Sequence, residues 1–477
     1  MFKKGQILAD ILIEDAVSDG SGLARVQDCV MFVPGSVPGD IVTIMLSRKE
    51  KKFWHTKLIS ISTPSPDRVQ PICAHFGTCG GCKWQLLHYS KQLFYKEKQL
   101  KDAIQRIGEV DALVWKPILP NQTEYTFRNK LEFTFSERGW LTQSQIESQE
   151  VFSRQALGFH VQGFFDRVVS IKQCFLMDDR VNEVRNAVYD FCQTKQYSFF
   201  DLQAQTGLLR QFVVRTSANY PDFMAVLILS QQDITAVDTI FQFLQAKFPY
   251  ITSFQWIIND KKNDQYSDLP VHLWSGSLTP NPPYIRERLL DKEFIIGAIS
   301  FFQTNTFQAE QLYTLVKQAI NRPVRLLWDL YCGTGSIGIV LASLAEQILG
   351  IEYNEASLQD AVRNCEINNV ENITFFSGDM AKVLQTNSAV LAYGRPDVVV
   401  VDPPRTGMHP NVVAVLNEIK PQQIIYVSCN AATQARDLKM LAKNYVVHSV
   451  QGVDMFPQTA HVESVADLWL KNNLPNG

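Results

Sequence analysis

The 477-residue sequence contains no apolar run long enough to cross a bilayer as a helix, no internal repeat and no low-complexity tract. A helical membrane protein and a repeat array are therefore excluded. Asp10 interrupts an apolar stretch that is already short, so residues 1–15 do not read as a signal peptide, and a cytoplasmic protein is expected. Charge excess of either sign is also missing. With 45 Lys and Arg against 48 Asp and Glu, the net charge is −3. That excludes a uniformly basic nucleic-acid binder and leaves RNA or DNA contact to local patches. Nine cysteines are too sparse for a disulfide scaffold, and in a reducing compartment clustered ones point to metal or catalysis. What remains is an ordinary globular composition, 46% hydrophobic and 19% charged, in a chain long enough for about two to four domains.

The C-terminal third carries the clearest signal. Gln423–Ser428 is an apolar, β-branched and aromatic run that stops at Cys429-Asn430. Asp397–Val401 is a second such run, ending in Asp402-Pro403-Pro404-Arg405, and Val324–Tyr331 a third, ending in Cys332-Gly333-Thr334-Gly335-Ser336. Each reads as a buried strand. From about Asp291 onward strands alternate with helices at Thr306–Ala319, Ser336–Ala345 and Asn354–Asn368; further strands are expected at Gln347–Glu352, Ile373–Phe376, Tyr445–Val450 and Asp467–Lys471. This alternation predicts a doubly wound parallel sheet, with ligands outside the carboxyl ends of the strands. Cys429 then stands where chemistry happens, although a cysteine taken at random is more often a small buried hydrophobe.

Residues 1 to about 60 read as a small β-barrel, with short strands such as Cys29–Val33 and Ile41–Leu46 between Gly/Pro turns. The run Arg48-Lys49-Glu50-Lys51-Lys52-Phe53-Trp54-His55 fits a phosphate-tracking, base-stacking patch or a solvated hairpin tip about equally well. Ser62–Pro66 reads as a linker. Next come Cys73, Cys79 and Cys82, without the second Cys-x2-Cys pair of a zinc site. An iron–sulfur cluster needs a fourth thiolate: Cys174 is the better candidate, and Cys192 falls in an amphipathic helix pattern over Arg180–Thr194. Trp84–Gly108 reads as a helix with a basic face (Lys91, Lys96, Lys98, Lys101, Arg106), either a solvated face or an RNA contact. The middle of the chain reads as an α+β substrate domain, with strands at Asn129–Phe135 and Phe223–Leu229, a helix at Ile234–Phe248, and exposed basic groups in 126–130 and 207–211.

Gly333-x-Gly335 lets a cofactor approach the backbone, and Glu352 at the end of the next strand suits a ribose diol. The third glycine of the dinucleotide fingerprint is missing, which disfavours NAD. Asp379, after the third strand, suits an adenine amino group. S-adenosylmethionine is the favoured cofactor. A thiol at Cys429 can add to C6 of a pyrimidine and make C5 nucleophilic, after which a base must remove the C5 proton. Glu463, expected on a loop before the last strand, is the candidate base, with His461 as the alternative.

Phe302-Gln303-x-Asn305, Asp329–Gly335, Asp402–Arg405, Val427–Asn430 and His461-Val462-Glu463 together resemble the bacterial RNA uracil-5 methyltransferase family, a class I S-adenosylmethionine group acting on uridines of 23S rRNA and tRNA. The Cys73/Cys79/Cys82 triplet with Cys174 resembles the rRNA branch, which carries a four-iron four-sulfur cluster, and the first 60 residues resemble its TRAM RNA-binding barrel. The resemblance implies that Gln303, Tyr331, Glu352, Asp379 and Asp402 contact the cofactor or order its pocket. It makes Cys429 the nucleophile, Glu463 the base and the four cysteines the cluster ligands. The implied architecture is multidomain α/β: a barrel at 1–62, a central α+β iron–sulfur and substrate domain at 63–290 and a Rossmann-like methyltransferase domain at 291–477, with part of 84–120 docking on the last. The implied partner is RNA, 23S rRNA first and the tRNA T-loop second, with no membrane partner and a monomeric chain. A non-catalytic iron–sulfur RNA-binding protein is the rival of a different class, and the Cys429/Glu463 pair argues against it. Ser336 and Ala431 stand where relatives often have Asn and Pro.

Overall fold

The computed structural model describes residues 2–148, 150, 152–278 and 280–474. Its organising element is an eight-stranded sheet whose order is Ile373–Ser377, Ala345–Glu352, Val324–Leu330, Val398–Val401, Gln423–Ser428, Glu463–Leu470, Tyr445–Val453 and Val114–Leu119. The first five strands are parallel. Val398–Val401 and Gln423–Ser428 are buried at every position, which is why they read as unbroken apolar runs rather than alternating ones. Helices cover both faces, giving one core cluster on each side.

The expected all-parallel sheet needs correction at one edge. Glu463–Leu470 runs antiparallel to both of its neighbours. Only residues 454–462 join it to Tyr445–Val453, and a parallel crossover needs a dozen residues or more. The last strand also begins at Glu463, not near Asp467, so Glu463 lies on the sheet instead of the preceding loop. The outermost strand, Val114–Leu119, comes from far upstream in the chain.

The first six strands (Ile7–Leu12, Asp15–Ala16, Gly22–Val26, Cys29–Val33, Ile41–Lys49, Phe53–Thr63) form one sheet around Ile13, Met31, Val42, Ile44, Leu46 and Trp54. Trp54 is therefore a core residue, 3% exposed, and not an outward stacking ring. The alternation of the strand turns Phe53 and His55 to the other face, where they meet Phe32 at centroid distances of 4.9 Å (Phe53) and 6.2 Å (His55). The Ser/Pro segment after this sheet is no free linker. Ser65 is buried and its N–H donates to Asp40 Oδ1 at 2.9 Å, while Arg68 Nη2 donates to Asp40 Oδ2 at 2.6 Å. A fully buried carboxylate at Asp40 needs those donors, and the segment supplies them.

Helix α1 (Tyr89–Arg106) buries Gln92, Lys96, Leu100 and Ile104. Its basic face is largely spoken for: Lys96 pairs with Asp454 with both side chains fully buried, Lys98 with Asp15 and Asp102, Lys91 with Asp67, and Arg106 with Asp102. The central region is a seven-stranded sheet backed by helices Asp179–Thr194 and Ile234–Lys247 around its own core. Arg210, expected to be exposed, is 1% exposed and donates to the carbonyls of Asn259, Lys261 and Asn263, tying down a loop. No described helix is long and apolar enough to cross a membrane.

Candidate active site

The turn after Val324–Leu330 is built for close approach. Tyr331, Gly333 and Gly335 all take left-handed backbone angles, with φ of 64°, 54° and 75°. A Cβ on Gly335 would lie 3.1 Å from the Ala361 Cβ as well as straining the backbone. Glu352, at the end of the adjacent parallel strand, accepts from Gly333 N–H at 3.1 Å through one oxygen and from Asn354 N–H at 2.9 Å through the other. Both the turn and the carboxylate are fixed in advance. Tyr313 Oη and Ser336 Oγ lie 2.8 Å apart below the turn.

Cys429 follows directly on Gln423–Ser428. In the antiparallel ladder Ser428 pairs with Ser464, and continuing that register by one residue sets Cys429 opposite Glu463. On the other side Val401 pairs with Tyr426, which brings Asp402 to the same strand ends. Asn430 Nδ2 and Thr433 Oγ1 both donate to Arg405 O, at 3.0 and 3.2 Å, locking the Asp-Pro-Pro-Arg turn against the Cys-Asn turn. Asn430 also caps helix Ala431–Leu441, so Ala431 occupies its first turn, where proline is only one of several acceptable residues.

Burial governs the electrostatics of this corner and favours the neutral forms of its acids. Burial pushes Glu463 up to about 8, with Asp402 adding to the effect and Arg405 opposing it. Burial pushes Asp402 up to about 7. The Cys429 thiol rises to about 11 through burial, then through Glu463 and Asp402, with Arg405 working against them. His461 is held down to about 4 by burial and by the surrounding cations Arg405, Lys96, Arg128 and Lys83. It is nonetheless an exposed residue that lies off the cavity wall, whereas Glu463 and Asp402 both line the cavity beside the thiol.

All of this opens into one cavity of about 1130 Å³. One wall carries Gln303, Tyr331, Glu352, Asp402, Cys429 and Glu463. Asp379 is absent from the wall; its carboxylate caps helix Met380–Thr386 by accepting from Lys382 N–H at 3.0 Å. The central region adds Arg128, Lys130, Glu132 and Arg215 to the lining. Arg215 went unnoticed in the sequence; its strand, Leu209–Thr216, already carries Arg210 and Gln211, and nothing local sets it apart. It is buried and donates to Ser300 O at 2.6 Å. Lys130, ion-paired with Glu132, is pushed down to about 8 by burial and by Arg215.

Cys73, Cys79, Cys82 and Cys174 also line this cavity. Their thiols are electrostatic neighbours: burial first, then the other thiols, raise Cys82 to about 11 and Cys174 to about 12. Four sulfurs from two chain segments meet the donor number and softness of an iron–sulfur cluster. Among the described residues, however, no three His, Cys, Asp or Glu side chains are arranged to hold a metal ion. Cys192 is fully buried within helix Asp179–Thr194, away from this group.

A family model described as tRNA (uracil-5-)-methyltransferase matches residues 282–472. An uncharacterised RNA methyltransferase of Bacteroides thetaiotaomicron is 42% identical over 458 residues, covering 95% of this chain and 100% of the relative. One from Chlorobaculum tepidum is 35% identical, covering 98% of this chain and 96% of the relative. Among solved structures, the Pyrococcus abyssi tRNA (uracil-54, C5)-methyltransferase in complex with S-adenosyl-L-homocysteine superimposes with a TM-score of 0.73 at 29% identity, over 96% of this chain and 99% of that one. The chain is thus a member of the tRNA (uracil-5-)-methyltransferase family of RNA methyltransferases.

Proposed function

We propose that this protein methylates C5 of a uridine in RNA through a covalent adduct on Cys429. The observation that carries the reading is the cross-strand placement of Cys429 opposite Glu463, beside Asp402, in the cavity that also holds Gln303, Tyr331 and Glu352. S-adenosylmethionine, whose demethylated form occupies the archaeal relative, supplies the methyl group as an electrophilic sulfonium. Glu352 is the group for its ribose. Asp402, raised to about 7 by burial, is the carboxyl beside Cys429 and Glu463 that can face the cofactor's charge. Asp379 is the weakest of the cofactor contacts, because its carboxylate is already engaged as a cap.

In this mechanism Cys429 gives its proton to solvent, its sulfur bonds to C6 and the C5–C6 π electrons shift, leaving an enolate with its nucleophilic carbon at C5. C5 takes the methyl group. Glu463 then removes the proton still on C5, the C5–C6 double bond re-forms and the sulfur leaves as thiolate. The raised value of Glu463 matches it to proton transfer near neutral pH. Arg405, beside both groups, favours their ionised forms.

RNA would reach the cavity along the central wall, with Arg128 and Lys130 as its cations, and along the N-terminal sheet, where Phe32, Phe53 and His55 offer rings beside Arg48 and Lys49. The proposed substrate is 23S rRNA. A tRNA substrate is the second reading; the Pyrococcus abyssi relative, whose likeness spans nearly the whole chain, is itself a tRNA (uracil-54, C5)-methyltransferase. Mapping 5-methyluridine in both RNAs of a deletion strain decides between them. The cysteine set is proposed to bind a four-iron four-sulfur cluster in the same wall.

RNA containing 5-fluorouridine tests the chemistry, because fluorine cannot leave as a proton does. It is expected to trap a protein–RNA adduct stable on denaturing gels. Cys429→Ala is expected to abolish both adduct and turnover, and full turnover by that variant would refute the mechanism.

A further inference from the structure

The loop that delivers Glu463 is anchored from outside the sheet that Glu463 belongs to. Residues 454–462 are buried almost throughout, Asp454, Gln458 and Thr459 included. A buried loop must find partners for its polar groups. These come from α1 and from the cysteine-bearing segment before it. Lys96 Nζ donates to Asp454 Oδ1 at 2.5 Å and to Phe456 O at 2.9 Å, and Tyr89 Oη donates to Asp454 Oδ2 at 2.8 Å. Gln92 and Gln458 bond reciprocally: Gln92 Nε2 to Gln458 Oε1 at 3.0 Å, and Gln458 N–H to Gln92 Oε1 at 2.9 Å. The N–H groups of Lys83 and Trp84, next to Cys82, donate to Gln458 O at 2.8 and 3.0 Å. Gln458 itself holds a left-handed φ of 66°, a conformation a non-glycine residue keeps only when its surroundings impose it.

These anchors lead to Glu463. The carbonyl of Phe456 that accepts from Lys96 also accepts from Thr459 Oγ1 at 2.8 Å, and Thr459 Oγ1 accepts from His461 N–H at 3.2 Å, two residues before the carboxylate. Among the described residues the Glu463 carboxylate takes no hydrogen bond; its neighbours, Asp402 and Arg405 among them, act on it through charge. Its place opposite Cys429 is therefore inherited from its backbone. The stripe that α1 buries would normally be apolar throughout, yet two of its four members are Gln92 and Lys96. Packing alone does not call for them, and a buried ammonium is expensive unless paired.

We propose that Lys96 and Gln92 are positioning residues that fix residues 454–462 and thereby hold the Glu463 carboxylate at C5 of the RNA adduct, so that proton removal depends on them while methyl transfer does not. The proposal rests on the reading of Glu463 as the base.

The test uses the full-length protein with substrate RNA and methyl-labelled S-adenosylmethionine in single turnover. Methyl transfer is read as label entering RNA, free or adducted, and proton removal as disappearance of the adduct on denaturing gels. Two variants are compared: Gln92→Leu, and the double change Lys96→Met with Asp454→Leu, which removes a buried ion pair as a unit and leaves no orphaned charge. Both are expected to transfer methyl at the wild-type rate and to release the adduct about 10²-fold more slowly, the scale of a displacement near 1 Å. Release at the wild-type rate overturns the proposal. So does equal slowing of both steps, which is what loss of stability alone produces. Glu463→Gln is the control. If it does not accumulate methylated adduct, the base assignment is itself wrong and the proposal falls with it; if it does while the α1 variants do not, only the anchoring role fails.

Discussion

Replacing Glu463 by glutamine should make the protein more stable, and increasingly so as pH rises. The carboxyl is raised from an ordinary 4.5 to about 8, chiefly by burial. Because the folded value lies above the unfolded one, this group costs nothing well below pH 4.5. Stability is then lost as pH climbs from 4.5 to 8 and levels off beyond. At about 1.4 kcal/mol per pH unit of displacement, burying this group costs roughly 1 kcal/mol at pH 5, about 3 at pH 7 and up to about 5 at pH 9, because the unfolded chain ionises it freely while the folded chain holds its proton up to about pH 8. A neutral amide of the same shape removes the cost. For a domain of this size about 1 kcal/mol moves Tm by about 2–4 °C, so the advantage of Glu463→Gln should grow by at least about 5 °C between pH 5 and pH 9. The assay is thermal unfolding of cofactor-free protein at the two pH values. Glu346→Gln, at an exposed strand position, serves as control, and the difference from wild type cancels groups that titrate alike in both. A Tm difference that stays constant from pH 5 to pH 9 would refute this account: Glu463 would then ionise like a surface carboxylate, in a corner open to water.

The cysteine set predicts that anaerobically purified protein is brown and that Cys174→Ser loses iron while Cys192→Ser keeps it; stoichiometric zinc in place of iron would refute the cluster. Trp54→Ala should destabilise the N-terminal sheet by about 3–5 kcal/mol, the usual range for truncating a core aromatic, seen as an earlier unfolding transition. Phe53→Ala should instead leave folding intact and weaken RNA binding by about 1–3 kcal/mol if its ring stacks a base. Lys51→Ala with Lys52→Ala, at the exposed hairpin tip, should lower the salt dependence of RNA binding by roughly one unit of log–log slope for each phosphate no longer neutralised, measured by titration across salt concentrations.

Much of the site was legible because it lies where local sequence ends. Cys429, Asp402 and the Gly333 turn each terminate an apolar run, and a run buried on both faces needs no alternation to be read. Glu352 was legible for the same reason. Trp54 was misread because a basic run next to an aromatic pair does not say which ring faces inward; the two-residue period of the strand sends Phe53 and Trp54 to opposite sides. Arg210 and Lys96 look like surface cations by residue type, and only their distant partners, loop carbonyls in one case and Asp454 in the other, make their burial tolerable.

The sequence by itself determined the alternation of strands and helices, the strand-end chemistry and the grouping of three cysteines, since each depends on neighbours within a few residues. Tertiary structure alone decided the antiparallel return that sets Glu463 against Cys429, the capture of Val114–Leu119 as an edge strand, and the meeting of Cys174 with Cys73, Cys79 and Cys82. It also decided that α1 grips the loop before Glu463 across more than 350 residues of chain. These are pairings between segments far apart in sequence. Their partners are chosen by burial and by the need to satisfy buried polar groups, and no local pattern records that choice.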